Sequence, residues 1–347
     1  MLYGNSIMEE NKFIANYKSK NLKKIITLII IGVLIVVLFG IDLFTGSANL
    51  SFGDTMAALF NPSSVSNSVV VIVRELRLPI ALMAIVIGLS LGASGSVMQT
   101  ILNNPLASPY TLGIGAGASF GASLGIILGA NNYVIALMSF AFAMSISLLI
   151  YALGRTTNMS TYTMTLMGIA LLFLFQALQS FVQYLATENQ NQEIVFWTFG
   201  SLQKVDFTKL LILTVAFVVV FPLLMRNVWK FTALSLGSQK AEALGIHTNK
   251  LKLESFILIS VISSLSVCFT GPIGFIGIAG PHMARALIGE DHRYYLPCSA
   301  LLGALILVVA DILSKIIMPG TIFPIGIITS LIGVPFFFAI LFKKRRV

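Results

Sequence analysis

The stretch SGSVMQTILNNPLASPYTLGIGAGASFGA, residues 94–122, decides the fold of this chain. Its second half begins a series with a glycine at every fourth position: Gly113, Gly117, Gly121, Gly125 and Gly129. This spacing leaves one helix face without side chains, so a neighbouring helix can approach closely, as in helices packed inside a membrane. A phosphate-binding loop is the alternative interpretation, but a strand and a Lys-Ser/Thr pair should accompany it. We therefore predict helix packing.

The composition around this stretch is that of a membrane protein. Hydrophobic residues fill 57% of the 347 positions and charged residues only 10%, with a mean hydropathy of +0.93. A soluble domain carries roughly a quarter charged residues. The net charge of +9 would suit nucleic acid, but the charges lie in short blocks between or outside apolar runs, as in polytopic membrane proteins. We expect lipid as a partner and no nucleic acid.

Windows of ~20 mostly apolar residues, the length that a spanning helix needs, recur along the chain. The ten candidate segments are 25–43, 79–101, 110–129, 133–153, 161–186, 208–225, 254–270, 274–288, 297–315 and 324–342. Runs of this length predict helices and not the ~10-residue alternating strands of a barrel. The second segment carries a shorter small-residue series, Gly88, Gly92 and Ser96. We predict an all-α polytopic membrane protein with about ten transmembrane helices; because the eighth segment is short and broken by glycine, nine is the alternative count.

The placement of Lys and Arg predicts the orientation. With the N-terminus inside, 17 of the 22 basic residues fall on the cytoplasmic side, which is the usual bias. We therefore expect both termini in the cytoplasm, with residues 1–24 as a cytoplasmic segment, 25–342 as the transmembrane domain and 343–347 as a cytoplasmic tail. The lysines before the first apolar run resemble a signal peptide, but no A-x-A site follows, so we interpret the run as an uncleaved helix.

The cysteines and histidines do not form a motif. Cys268 and Cys298 lie in or beside apolar segments without CxxC spacing, which indicates buried thiols and neither a disulfide nor a metal site. The histidines are scattered, and only Glu290-Asp291-His292 beside His282 invites a metal hypothesis. A charged turn at the membrane surface explains that group without a metal, so we expect no metal site.

Polar residues on the fifth segment are candidates for a path through the membrane. Gln176, Gln179 and Gln183 share one helical face, and polar side chains at bilayer depth are costly unless they face protein or water. Two interpretations stay open: hydrogen bonds between helices, or a hydrated path for a polar solute. Asp311 and Glu254 lie near segment ends, and no charge lies within the fifth segment, which disfavours an ion-coupled relay.

The long cytoplasmic loop 226–253 is the candidate docking element. Within it, LGSQKAEALGIHTNKLK (236–252) predicts two short helices joined at Gly245 that present a small-residue surface. A solvated connection is the plain alternative. The residues that we expect to dock a partner are Leu236, Gly237, Ala241, Leu244 and Gly245.

Several stretches together resemble one family, the iron–siderophore and cobalamin permeases of ABC importers (FecCD type). The central stretch is similar to the family pattern Q-x-x-x-x-NPLA-x-P-x-x-LG-x-x-x-GA. The other matching stretches are RLPI (77–80), FWTFGSL (196–202), GPIGFIGIAGPHMARALIGEDHRYYLPCSALLGALILVVAD (271–311) and FPIGIITSLIGVPFF (323–337). Their common order along the chain makes the resemblance specific.

The resemblance implies a ten-span permease of the type II importer fold that works as a pair, identical or paralogous, on two ATPase subunits. Residues 233–250 match the coupling helices that contact the ATPase. The chain has no G-x-x-x-x-G-K-[ST] motif, so we expect no cofactor bound by this chain, with ATP used by a partner subunit.

The resemblance also implies docking of an extracytoplasmic solute-binding protein through basic residues, at the positions of Arg77 and Lys315. Rim charges of this kind steer association more than they add affinity. Snorkelling of lone cations at helix ends is the alternative. Two positions depart from the family pattern: Ile80 replaces the second Arg of RLPR, and Ile322 replaces an acidic residue before PIG.

The predicted function is import of an iron–siderophore complex across the bacterial cytoplasmic (inner) membrane by alternating access, with the fifth and tenth segments lining the path. Cobalamin or haem import is the alternative within the class. The alternatives outside it are an ion-coupled secondary transporter and a membrane-embedded enzyme; for the enzyme, no clustered His, Asp or Ser–His pairs are found.

Overall fold

The computed structural model describes residues 2–46, 48, 50–157, 160–317 and 323–344, and within these ranges the chain forms helices and no strand. A 3-10 turn spans Pro62–Ser64, and a π-helix, Val71–Arg77, joins α3 to α4 without a break. The helices are α1 (Leu2–Phe44), α2 (Phe52–Phe60), α3 (Asn67–Val70), α4 (Leu78–Ile101), α5 (Ile114–Ile127), α6 (Asn132–Thr156), α7 (Thr161–Leu185), α8 (Glu188–Thr198), α9 (Phe207–Met225), α10 (Val228–Leu234), α11 (Ser238–Ala243), α12 (Thr248–Thr270), α13 (Ile276–Ile288), α14 (His292–Ile316) and α15 (Ile325–Lys344).

Six of these helices are long and apolar enough to cross a membrane: α1 from Lys18 onward, α6, α7, α9, α12 and α14. Two shorter apolar helices accompany them, α5 and the Ile325–Pro335 part of α15. Each of the ten predicted segments overlaps a helix, so the all-helical, multi-pass prediction is confirmed for the described part of the chain. The number of crossings stays a prediction.

Two of the predicted segments begin as irregular backbone. Residues 102–113 precede α5 and residues 271–275 precede α13. In the first, Pro105 and Pro109 lack the N–H that a helix interior needs. The second begins at Gly271, whose φ of +75° is a left-handed conformation that glycine adopts readily. The predicted segments 110–129 and 274–288 are therefore helical only from Ile114 and Ile276 onward.

Glycine contacts hold the centre of the bundle together, as the spacing predicted. A methyl group at Gly92 of α4 would overlap the carbonyl oxygen of Ser299 on α14, and one at Gly303 of α14 would overlap that of Gly88. In α5, a methyl group at Gly121 would lie 2.5 Å from the carbonyl oxygen of Met138 on α6. Where glycines face a neighbouring helix, the two backbones come into direct van der Waals contact, and this contact stabilises the helix pair without large side chains.

Two helices at the same end of the bundle were not predicted, although each has a capping signal. Thr187 and Gln190 form a capping box that starts α8, with the Thr187 N–H donating to Gln190 Oε1 at 3.0 Å. The Ser51 hydroxyl oxygen accepts the Asp54 N–H at 3.0 Å to start α2. Both helices are shorter than the ~20 residues that a membrane-spanning helix needs, so windows of that length do not reveal them.

Candidate coupling surface and translocation path

The docking loop contains two short helices, but their joint differs from the prediction. α10 and α11 meet at Gly237, whose φ is +108°, whereas Gly245, with φ +80°, ends α11 before α12 begins. The Gly245 N–H donates to Glu242 O at 2.9 Å and the Ile246 N–H donates to Ala241 O at 3.1 Å. These two bonds form a Schellman motif, which terminates a helix at a left-handed glycine.

Exposed leucines flank α11. Leu236 is 61% exposed and Leu244 is 67% exposed, whereas Ala241 is buried in the same apolar cluster as Phe231 and Leu251. Ala241 therefore anchors α11 and does not belong to the exposed surface, contrary to the small-residue surface that we predicted. The exposed large apolar side chains of this unit are these two leucines and Trp229 of α10, which is 62% exposed.

Side-chain bonds fix α11 to the first turns of α12. The Thr248 hydroxyl donates to Glu242 Oε1 at 2.5 Å, and Lys252 Nζ donates to Ser238 Oγ at 3.0 Å. A cleft of about 530 Å³ opens beside this junction. Its lining residues are Glu242, Gly245, Ile246, His247, Thr248, Asn249 and Lys250.

The predicted docking cation Lys315 is buried near the end of α14, at the opposite end of the bundle. Its Nζ donates to Asp42 Oδ1 of α1 at 2.7 Å and lies 2.8 Å from Asp311 Oδ2, and its side chain is 5% exposed. Asp42 and Asp311 are buried as well. In the sequence, Asp311 lies near a segment end and Asp42 belongs to no motif, so neither was predicted to pair with Lys315. The i,i+4 spacing of Asp311 and Lys315 is the one local signal of this cluster.

Arg77, the other predicted docking cation, is also buried. Its Nη1 donates to Leu43 O at 2.9 Å and its Nη2 donates to Ala48 O at 2.5 Å, so the guanidinium caps the end of α1. The predicted docking through Arg77 and Lys315 requires that both charged groups be exposed. In the structure both groups lie inside the chain. Ile322, one of the two departures from the family pattern, lies outside the described residues.

The three glutamines lie along one edge of α7. Gln176 is exposed, and Gln179 and Gln183 are half-buried, next to the buried face that includes Phe175 and Val182. The three glutamines lie beside a surface of α7 that no other described part of this chain covers, so a second subunit or a solute can reach them.

A cleft of about 510 Å³ lies where α8, the segment before α13 and the start of α15 meet. The predicted tenth segment contributes half of its wall, whereas the glutamines of the fifth segment are not part of it. Its lining residues are Tyr110, Thr198, Phe199, Pro272, Gly274, Gly326, Ile327, Ser330, Leu331, Val334 and Pro335.

The charged turn before α14 is occupied by internal pairs. Arg285 Nε lies 2.9 Å from Glu290 Oε1, and Arg293 Nη2 donates to Asp291 Oδ2 at 2.6 Å. Burial tends to raise the pKa of Asp291, but the hydrogen bonds from Arg293 and the nearby Lys24 outweigh it and hold that pKa below its ordinary value. Among the described residues, no group of three or more His, Cys, Asp or Glu is arranged to hold a metal ion.

Comparison with known proteins adds to this geometry. A model described as the FecCD transport family matches residues 25–343. The chain belongs to the FecCD transport family. Its members are membrane permease subunits of ABC transporters, in which a separate subunit hydrolyses ATP.

Individual FecCD relatives match along nearly their whole length. The Fe(3+)-citrate import system permease protein YfmE of Bacillus subtilis is 33% identical, covering 94% of this chain and 98% of its own. The hemin transport system permease protein HmuU of Yersinia pestis is 32% identical, covering 92% and 96%. A solved structure described as a metal-chelate type ABC transporter in an inward-facing conformation has a TM-score of 0.82 and 30% identity, covering 91% of this chain and 99% of that one.

Proposed function

We propose that this FecCD permease imports an iron chelate, an iron–siderophore complex in the first instance, by alternating access powered by ATPase subunits. The observation that carries the proposal is the rigid α10–α11 unit, which presents Leu236 and Leu244 to solvent. Exposed apolar side chains grouped on a surface that hydrogen bonds fix in place are typical of a site that contacts a partner protein. The relatives YfmE and HmuU, which are named for Fe(3+)-citrate and hemin transport, support an iron-containing cargo.

The proposed assembly contains a second permease subunit, identical or paralogous, two ATPases and an extracytoplasmic solute-binding protein. We place the permease in the bacterial cytoplasmic membrane with ten crossings and both termini inside. With this orientation α10 and α11 lie in the cytoplasm, where the ATPases are, and α2 and α8 lie outside. The positive bias of the cytoplasmic segments supports it.

The 510 Å³ cleft is the proposed path for the cargo. Irregular backbone is tolerated at membrane depth only where it is buried in protein or lines a cavity. Tyr110, from the segment before α5, and Pro272 and Gly274, from the segment before α13, all line this cleft. The accessible glutamines of α7 would extend a polar path where the second permease subunit completes the wall.

A cysteine in the cleft tests this path. Ser330→Cys is expected to leave uptake intact until a bulky thiol reagent is added and then to block it, because Ser330 lines the cleft. Cys268 and Cys298 are buried, so the new thiol is the preferred target. Ser145→Cys, at an exposed serine of α6 outside the cleft, is the control and should transport equally with and without reagent. Uptake by labelled Ser330→Cys would contradict the path.

The exposed leucines provide a test of ATPase docking. The double substitution Leu236→Asp with Leu244→Asp is expected to weaken ATPase binding by at least ~100-fold, since it puts two charges into an apolar contact. The measurement is co-purification and binding of the ATPase to detergent-solubilised permease. Leu128→Asp, at a 72% exposed leucine after α5 at the other end of the bundle, is the matched control. ATPase binding unchanged by the double substitution would reject the docking surface.

Receptor docking through Arg77 and Lys315 stays a prediction. Both are buried, so we propose that they act indirectly, by holding the ends of α1, the π-helix and α14 in the arrangement that the receptor meets. Charge reversal at either position should then weaken receptor binding in proportion to the loss of folding stability that it causes.

Uptake into proteoliposomes decides the function as a whole. Proteoliposomes that contain the complex of permease and ATPase, supplied with receptor, should accumulate a radiolabelled iron–siderophore complex only when ATP is supplied to the ATPase. Hemin and cobalamin are tested in parallel as the alternative cargoes. Transport by the permease alone, driven by a proton or sodium gradient, would establish the secondary-transporter alternative and overturn the proposal.

A further inference from the structure

A buried polar cluster joins the docking helices to the transmembrane helices. At its centre is His292, the first residue of α14, which is 1% exposed. Its backbone N–H donates to Thr232 Oγ1 of α10 at 3.1 Å, and its ring Nε2 lies 2.7 Å from Thr100 Oγ1 in the last turn of α4. One residue therefore links α10, α14 and α4.

Both threonine hydroxyls also bond within their own helices. The Thr232 hydroxyl donates to Val228 O at 3.0 Å, so its oxygen is free to accept the His292 backbone N–H. The Thr100 oxygen lies 2.8 Å from Ser96 O as well as 2.7 Å from His292 Nε2, and the ring tautomer sets which of Thr100 and His292 donates to the other.

Apolar and polar contacts extend the cluster on both sides. The His292 ring centroid lies 5.9 Å from that of Phe231 on α10 and 5.0 Å from that of Tyr295. The Tyr295 hydroxyl donates to Gln99 Oε1 of α4 at 3.4 Å and accepts a bond from Arg285 Nη2 of α13 at 3.3 Å. Four helices thus meet in one buried cluster beside the docking unit.

We propose that His292 is a positioning residue that transmits the movement of α10–α11 to α4 and α14 during transport. The proposal rests on the function proposed above. Breaking a buried hydrogen bond leaves a desolvated polar group without a partner, which is costly. α10 therefore cannot slide past α4 and α14 and instead moves them with it. Directional bonds to Thr232 and Thr100 make this joint stiffer than apolar packing alone.

Removal of one hydroxyl tests the joint. In the complete complex in proteoliposomes, Thr100→Val keeps the shape of the side chain but removes the hydroxyl that bonds to the His292 ring. Uptake per ATP hydrolysed is expected to fall roughly tenfold, while ATPase binding and hydrolysis persist. Thr100→Ser restores the hydroxyl and should recover coupling to within about twofold of the wild type.

The matched control is Ser90→Ala, at a buried hydroxyl of the same helix whose bond goes to Val86 O within α4. It should leave uptake per ATP unchanged. Thr232→Val is the second variant, and its effect combined with Thr100→Val should be less than the product of the two single effects, because both act on one joint.

Two outcomes would overturn the proposal. One is unchanged uptake per ATP in both valine variants. The other is an equal loss of uptake and hydrolysis, which a merely structural role predicts. Wild-type complex that fails to transport with ATP would instead reject the proposed function, so the two failures are distinguishable.

Discussion

Lys315→Met is expected to lower the free energy of unfolding by about 3–5 kcal/mol, the usual effect of removing one partner from a buried ion pair. Lys315 Nζ lies 2.7 Å from Asp42 Oδ1 and 2.8 Å from Asp311 Oδ2. Without the ammonium group, two buried carboxylates would repel each other with no counterion between them. α1 would then lose its charged contact with α14.

Thermal unfolding of the purified permease in detergent measures this effect. Lys204→Met is the matched control, since Lys204 makes an exposed ion pair with Glu193 at 3.5 Å. Exposed pairs contribute at most ~1 kcal/mol, so the control should unfold close to the wild type. Equal stability of the two variants would show that the buried cluster is not structural, and would return Lys315 to the predicted docking role.

Gly92→Leu is expected to destabilise the bundle by about 3 kcal/mol or more, at the upper end of what overpacking costs. A side chain at this position would overlap the carbonyl oxygen of Ser299 and lie 3.1 Å from Ala300 Cα, both on α14. Backbone atoms cannot rotate out of the way as a flexible side chain can. α4 and α14 would have to separate along their whole contact.

Gly32→Leu provides the comparison, because nothing lies within 4 Å of the position that its Cβ would occupy on α1. Expression level, monodispersity in detergent and melting temperature are the measurements. The α1 variant should resemble the wild type. A Gly92→Leu protein that is equally stable would mean that α4 and α14 do not depend on close backbone approach.

Both stability predictions and the proposed joint concern α14. It is bound to α1 through Lys315 at one end, to α4 through Gly303 in the middle and to α10 through His292 at the other end. We infer that α4 and α14, whose backbones touch at Gly88, Gly92 and Gly303, move as one body.

The sequence by itself determined the class of fold and the position of the loop that we propose as the docking element. Long apolar runs specify helices in lipid because every backbone group must be satisfied within the segment. Glycine spacing likewise specifies where two helices can approach each other closely. For this reason the sequence predicts the close helix contacts at Gly92 and Gly121 that the structure shows. The docking loop was recognisable as a polar interruption between apolar runs, although the choice of Gly245 over Gly237 as the joint was wrong.

Only the tertiary structure decided the roles of individual polar residues. Arg77 and Lys315 are basic residues at segment ends, a pattern that fits an exposed rim as well as a buried ion pair. Their burial depends on Asp42, which is 273 positions before Lys315 in the chain and meets it only when α1 packs on α14. In the same way, Thr100 and His292 are separated by 192 positions, so their bond leaves no local pattern. Pairings of this kind arise from packing between distant segments, which residue type and spacing do not encode.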